Sequence, residues 1–197
     1  MYTIRTDYRD ETVIEKSRFI CTLKKVSSET EAQDFIKAVK KEFWDATHNC
    51  SAYIIDELAQ RSSDDGEPSG TAGLPMLEVL RKNQLSGVAA VVTRYFGGIK
   101  LGAGGLVRAY TGSVSKAVQS CGLARKILMG TFALSADAAD AGKLLNIIYQ
   151  QQLFTVASVE YGQQDEAERW LTEALNTETQ LEQVGSEYVE VPAEREK

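Results

Sequence analysis

VAAVVTRYFGGIKLGAGGLVRAY (88–110) reads as a strand, a glycine loop and a helix in direct succession. The run 88–93 is apolar and rich in β-branched residues, as a strand buried on both faces requires. It ends at Arg94, and Gly97, Gly98, Gly102, Gly104 and Gly105 follow closely. Leu106, Val107, Tyr110, Val114, Ala117, Val118 and Cys121 then recur at the helical period, and Gly122 supplies the stop. Glycines at such a junction let the backbone approach a ligand closely and take positive φ without steric cost. The unpaired N–H groups and the dipole of a helix starting near Gly104 favour an anion. Arg94 ends the strand, Lys100 lies inside the loop, and Arg108 sits one turn into the helix. Together they form a cradle suited to phosphate or carboxylate. The same glycines also suit a tight turn with close helix packing, and spacing alone leaves both uses open. No GxxxxGK[ST] is present, and Val107 stands where GxGxxG needs its third glycine. NTP hydrolysis and dinucleotide binding therefore lose their usual support.

Outward from this stretch, residues 11–25 read as two extended segments around a turn at Lys16-Ser17. Ser28 and Glu31 have capping-box spacing and open a helix with Ala32, Phe35, Ile36, Val39 and Phe43 on one face. Residues 52–56 form a short strand, and 64–73, rich in Asp, Gly, Ser and Pro, a loop. A helix follows over 71–82, with Pro75 tolerable only in its first turn. Past Lys126 the pattern becomes strand 127–135, a helix capped by Asp137, strand 154–161, a helix carrying Trp170 and Leu171, and strand 181–191. That order is a ferredoxin-like unit one strand short. The chain thus reads as an α+β protein of two domains, 1–124 and 125–197.

With 43% apolar and 25% charged residues, general disorder is excluded. No signal-peptide pattern opens the chain and no apolar run could span a bilayer, so a cytoplasmic protein without membrane contact is expected. Cys21, Cys50 and Cys121 lack any CxxC spacing, which points to reduced thiols. The net charge of −6 hides an asymmetry. Residues 131–197 hold 13 acids against 4 bases, whereas 79–136 hold no acid at all. That second stretch carries Arg81, Lys82, Arg94, Lys100, Arg108, Lys116, Arg125 and Lys126, which favours a surface of positive potential.

Three carboxylates, Asp64, Asp65 and Glu67, fall within four residues of the loop, beside Ser69 and Thr71. They suit Mg²⁺, ion pairing with Arg94, Lys100 or Arg108, or direct contact with a partner, while the two hydroxyls suit helix capping. The spacing excludes an EF-hand. His48, the only histidine, precedes the strand at 52–56 and lies two residues before Cys50. It fits a structural hydrogen bond, a contact in the same cleft, or a Cys–His pair that would still need an orienting third group. No catalytic residue, resident metal or cofactor is assigned.

DGEPSGTAGLPML (65–77) and VVTRYFGGIKLGAGGLVRAY (91–110), with HNCSAY (48–53) upstream, closely resemble the Impact/YigZ family. The Impact-type region covers roughly residues 15–122, with a looser YigZ-like match beyond it. The resemblance implies an N-terminal α/β fold like a ribosomal-protein domain and domain IV of elongation factor G. It also implies a ferredoxin-like C-terminal module, although family members usually carry a hairpin where Gly162 here leads almost directly into a helix. Eukaryotic members are expected to regulate translation under amino-acid starvation by competing for a ribosome-associated activator of a stress kinase. Nucleic-acid binding is the expectation for bacterial members.

These readings favour a binding or regulatory protein linked to translation over an enzyme. Its partner would be RNA, the ribosome or a ribosome-associated protein. Arg94, Tyr95, Gly97, Gly98, Lys100, Gly102, Gly104, Gly105 and Arg108 would hold it, with the acidic loop in support. Replacing Arg94, Lys100 and Arg108 by Ala is expected to weaken binding with little change in thermal stability. The alternatives are an enzyme acting on a phosphorylated small molecule and a pure protein-interaction module.

Overall fold

The computed structural model describes residues 2–134, 142–143, 158–160, 164–176, 178 and 180–193. The protein is α+β and divides into two compact units, one of Met1–Arg125 with Pro192–Lys197 and one of Lys126–Val191. In the first unit, strands β2 (Tyr8–Ile14), β3 (Ser17–Lys25), β4 (His48–Ile54), β5 (Gln60–Ser63) and β6 (Val88–Tyr95) form an antiparallel sheet. Their order is β2-β3-β6-β4-β5. Three helices cover it: α1 (Glu29–Glu42), α2 (Gly73–Lys82) and α3 (Gly102–Cys121). A short β1 (Tyr2–Ile4) pairs with the start of β7 (Leu123–Ala133).

The central position of β6 explains its composition. Side chains alternate across a sheet, so Val88, Ala90 and Val92 enter the main core with Met76 and Leu80 of α2 and Tyr110 and Val114 of α3. Ala89 enters a smaller core with Ala32 and Tyr53, against which Phe35 and Ile36 of α1 pack. The strand is therefore apolar on both faces without being parallel to its neighbours. Ser28 caps α1, its Oγ accepting the Glu31 N–H at 3.2 Å, and the Glu31 carboxylate accepts the Ser27 N–H at 2.9 Å.

Two strands escape a reading by periodicity. β5 is the polar sequence QRSS, recruited as an edge strand by backbone pairing alone, and β1 is only three residues long. β4 also begins earlier than the expected 52–56, because His48 and Asn49 already pair with Arg94 and Thr93.

The second unit contains the remainder of β7, then β8 (Ser158–Glu160), α4 (Gln164–Leu175) and β9 (Glu182–Pro192). β8 runs antiparallel to β7 with Gly130 opposite Val159, and β9 also pairs with β7. Leu171 and Leu175 of α4 are buried, as is Leu181. The Glu168 carboxylate accepts the Leu181 N–H at 2.8 Å, and Gln164 donates to the Leu181 carbonyl at 2.8 Å. The expected helix at Asp137 lies outside the described residues, apart from a helical pair at 142–143.

The β2–β3 turn, left-handed at Glu15 and Lys16 (φ 45° and 64°), sits directly against Gly97. A Cβ at Gly97 would overlap the Lys16 carbonyl, whereas one at Gly98 would meet open space at φ 86°. We expect Gly97→Ala to destabilise the fold by more than ~3 kcal/mol through overpacking. Gly98→Ala should cost about 1 kcal/mol from its left-handed backbone. Urea denaturation of the two variants checks the difference.

Candidate functional site

At one end of the sheet, register sets Phe19 of β3, Arg94 of β6 and His48 of β4 side by side in one row. Arg94 is an even number of residues from Val88, Ala90 and Val92, so the pleat turns it toward α3 rather than into solvent. It is only 5% exposed. Its Nη1 donates to Glu67 Oε1 at 2.7 Å, and Tyr110 of α3 donates to the same oxygen at 2.7 Å. The guanidinium lies between the Phe19 and Phe96 rings, 5.5 Å from each centroid, and Phe19 meets Tyr110 edge-on at 5.4 Å. Burial drives the Tyr110 phenol far above its ordinary pKa, keeping it a neutral donor.

The acidic loop is organised around this pair. Asp64 accepts the N–H groups of Gly70 (2.8 Å), Ala72 (3.0 Å) and Gly73 (2.8 Å), closing the loop and capping α2. Burial pushes its carboxyl upward, but those three donors outweigh it and hold the pKa below the ordinary value. Asp65 accepts from Lys40 at 2.5 Å and from the Asn49 N–H at 2.6 Å. Burial likewise raises the Asp65 pKa and is outweighed, first by Lys40 and then by that backbone donor. Thr71 is buried and donates to the Pro68 carbonyl at 2.7 Å, while Ser69 is exposed. The three carboxylates thus turn to separate partners instead of converging as a Mg²⁺ site would require.

His48 Nδ1 lies 2.9 Å from the Asp65 carbonyl, an acceptor, so this nitrogen carries the proton. Its Nε2 is 3.8 Å from Glu67 Oε2. Cys50 faces the same side, its thiol donating to the Asp64 carbonyl at 2.9 Å, and burial pushes its pKa up to about 12. A protonated thiol engaged in this way is no nucleophile at neutral pH.

The glycines separate into two groups. Gly97 packs on the Lys16 carbonyl, and a Cβ on Gly105 would lie 2.9 Å from that of Leu101, so both serve close packing. Gly98 (φ 86°) and Gly102 (φ 69°) are left-handed with open space beside them, and Gly104 is exposed. α3 begins at Gly102 with no side-chain cap and no acid in its first turn. Arg108 folds back over that turn, Nη1 lying 3.6 Å from where a Gly104 Cβ would stand. Lys100 and Arg108 are exposed, and neither has an acidic partner within 4 Å among the described residues. Tyr95 is tied to Asp45 at 2.8 Å and lies under Arg18.

Arg94 is thus buried in an ion pair, Gly97 and Gly105 are closely packed, and Tyr95 is half-buried with its hydroxyl on Asp45. Gly98, Lys100, Gly102, Gly104 and Arg108 are exposed. Sequence reasoning missed Ser17, which accepts the Gly97 N–H at 3.1 Å, and Thr47, which accepts the Phe96 N–H at 3.0 Å. It also missed the exposed Lys16 beside Gly97; only the folded register brings these residues to the loop. Among the described residues no group of His, Cys, Asp and Glu is placed to hold a metal, and no helix is long and apolar enough to cross a membrane.

Fold and site define a two-unit α+β protein whose first sheet ends in a buried Glu–Arg pair joined to α3 through Tyr110. Residues 15–118 match the Impact N-terminal domain. The IMPACT family member YvyE of Bacillus subtilis (strain 168) is 47% identical over 203 residues, covering 96% of this chain and 93% of its own. The IMPACT family member YigZ of Escherichia coli (strain K12) is 39% identical over 152 residues, covering 70% of this chain and 74% of its own. The chain belongs to the IMPACT family. A crystal structure of a hypothetical protein superposes with a TM-score of 0.63 at 29% identity, covering 93% of this chain and 96% of that one.

Breaking a buried ion pair strands a charge, at about 3–5 kcal/mol. Arg94→Ala should therefore lower the unfolding free energy from urea denaturation by that amount, whereas Lys100→Ala should stay within ~0.5 kcal/mol of wild type. Asp64 and Asp65, with folded pKa values below their unfolded ones, bind fewer protons when folded. Their stabilisation is full above about pH 4 and is lost as pH falls through the folded values. Thermal melts from neutral to acid pH should show that loss in wild type and a flatter acid limb in Asp64→Asn.

Proposed function

We propose that this protein is a cytoplasmic binding protein linked to translation, which holds RNA phosphates at the start of α3. The observation that carries the reading is the exposed, uncapped first turn of α3 with Arg108 folded over it and Lys100 just before it. Four amide groups at a helix start lack intrahelical acceptors, and a phosphate satisfies them as it meets two cations. The stretch 79–136 itself carries no acid, and the acidic composition of 131–197 disfavours a polyanion on the second unit. Translation as the context comes from the family resemblance.

Co-sedimentation with ribosomes and with deproteinised rRNA across a salt series tests the proposal, wild type beside Lys100→Ala/Arg108→Ala. Binding should fall steeply with salt, and the double variant should flatten the log–log slope by about one to two while its melting temperature holds. Salt-independent binding, or a variant that binds as wild type does, would refute the proposal.

A further inference from the structure

On the chain segment that leads from β6 into α3 stands an aromatic ring whose placement bears on which form of RNA fits. Phe96 is 47% exposed although it follows the buried strand β6 directly. Its inner side is held by the Arg94 guanidinium, 5.5 Å from the ring centroid, and Arg94 is itself fixed by Glu67 and backed by Phe19. Its N–H is anchored to Thr47 and the next residue's N–H to Ser17. The ring is thus a preorganised platform rather than a loose side chain, which lowers the ordering cost of anything that stacks on it. Trp44, 83% exposed, stands on the turn that Asp45 and Thr47 tie to Tyr95 and Phe96. Lys100 and Arg108 follow Phe96 by four and twelve residues across the glycine loop and the first turns of α3.

We infer that this surface binds single-stranded RNA, an unpaired base stacking on the outer face of Phe96 while the adjoining phosphates meet Lys100, Arg108 and the α3 amides. The inference rests on the anion reading above and narrows it. Charge complementarity selects a polyanion, and a fixed flat ring among cations selects one whose bases are free to stack, as duplex bases are not. Stacking needs only a π-face, so little base preference follows.

The test is fluorescence anisotropy with a labelled, unstructured single-stranded RNA of ~12 nucleotides, its duplex, and an abasic strand of equal length. Wild type should bind the single strand best and lose roughly tenfold on both the duplex and the abasic strand. Phe96→Leu, which keeps apolar bulk over Arg94, should weaken single-strand binding by a similar factor with the salt slope unchanged, and Phe96→Trp should retain binding. The abasic comparison uses the unaltered protein, so it stands even if Phe96→Leu proves unstable. If all three nucleic acids bind equally and only Lys100→Ala/Arg108→Ala weakens them, stacking is overturned and the anion site stands. If none binds at any salt concentration, both readings fall.

Discussion

The contact between Arg94 and Glu67, 2.7 Å long and almost wholly out of solvent, is the constraint on which this end of the molecule depends. A guanidinium brought into an apolar core by the pleat of β6 must meet a carboxylate there or unfold its surroundings. Glu67 reaches it only because the loop from 64 to 73 is folded down over the sheet. Asp64 achieves this by collecting three loop and helix amides, and Asp65 by joining α1 to the start of β4. Tyr110 brings α3 into the same network. Sheet, acidic loop and helix are thus fixed to one another through a single buried charge pair.

That arrangement divides the charged residues by task. Arg94, Glu67, Asp64 and Asp65 are consumed internally and set geometry. Lys100 and Arg108, lacking such partners among the described residues, present their charge outward at a helix start that carries partial positive charge of its own. The buried pair also supports the surface. Arg94 holds the Phe96 ring from beneath, and Gly97 presses on the β2–β3 turn, so the loop between strand and helix leaves the core in one defined direction.

Much of this was legible in the sequence, and the limits are physical. The apolar run of β6, the glycine loop and the amphipathic α3 follow from period and composition. Ser28 and Glu31 announced α1 correctly. The resemblance carried by residues 48–53, 65–77 and 91–110 agrees with the family match over 15–118. Sequence alone leaves Arg94 either in an anion cradle or paired with the acidic loop, and the Glu67 contact is the second of these. The even spacing of Arg94 from Val88, Ala90 and Val92 was the available signal that it points inward. The packing of Gly97 on Lys16 joins residues 81 positions apart, which no local pattern encodes. β5 had no signal at all, since four polar residues become a strand only when β4 offers its edge.

The central claim is that the α3 start, rather than another face, receives the polyanion. Titrating ¹⁵N-labelled protein with single-stranded RNA and following amide shifts tests this most directly. The account predicts the largest early shifts at residues 98–108 together with Phe96, and little change in α4 and β9. Shifts concentrated in α4, β9 or the edge strand β5, with 98–108 unmoved, would contradict it.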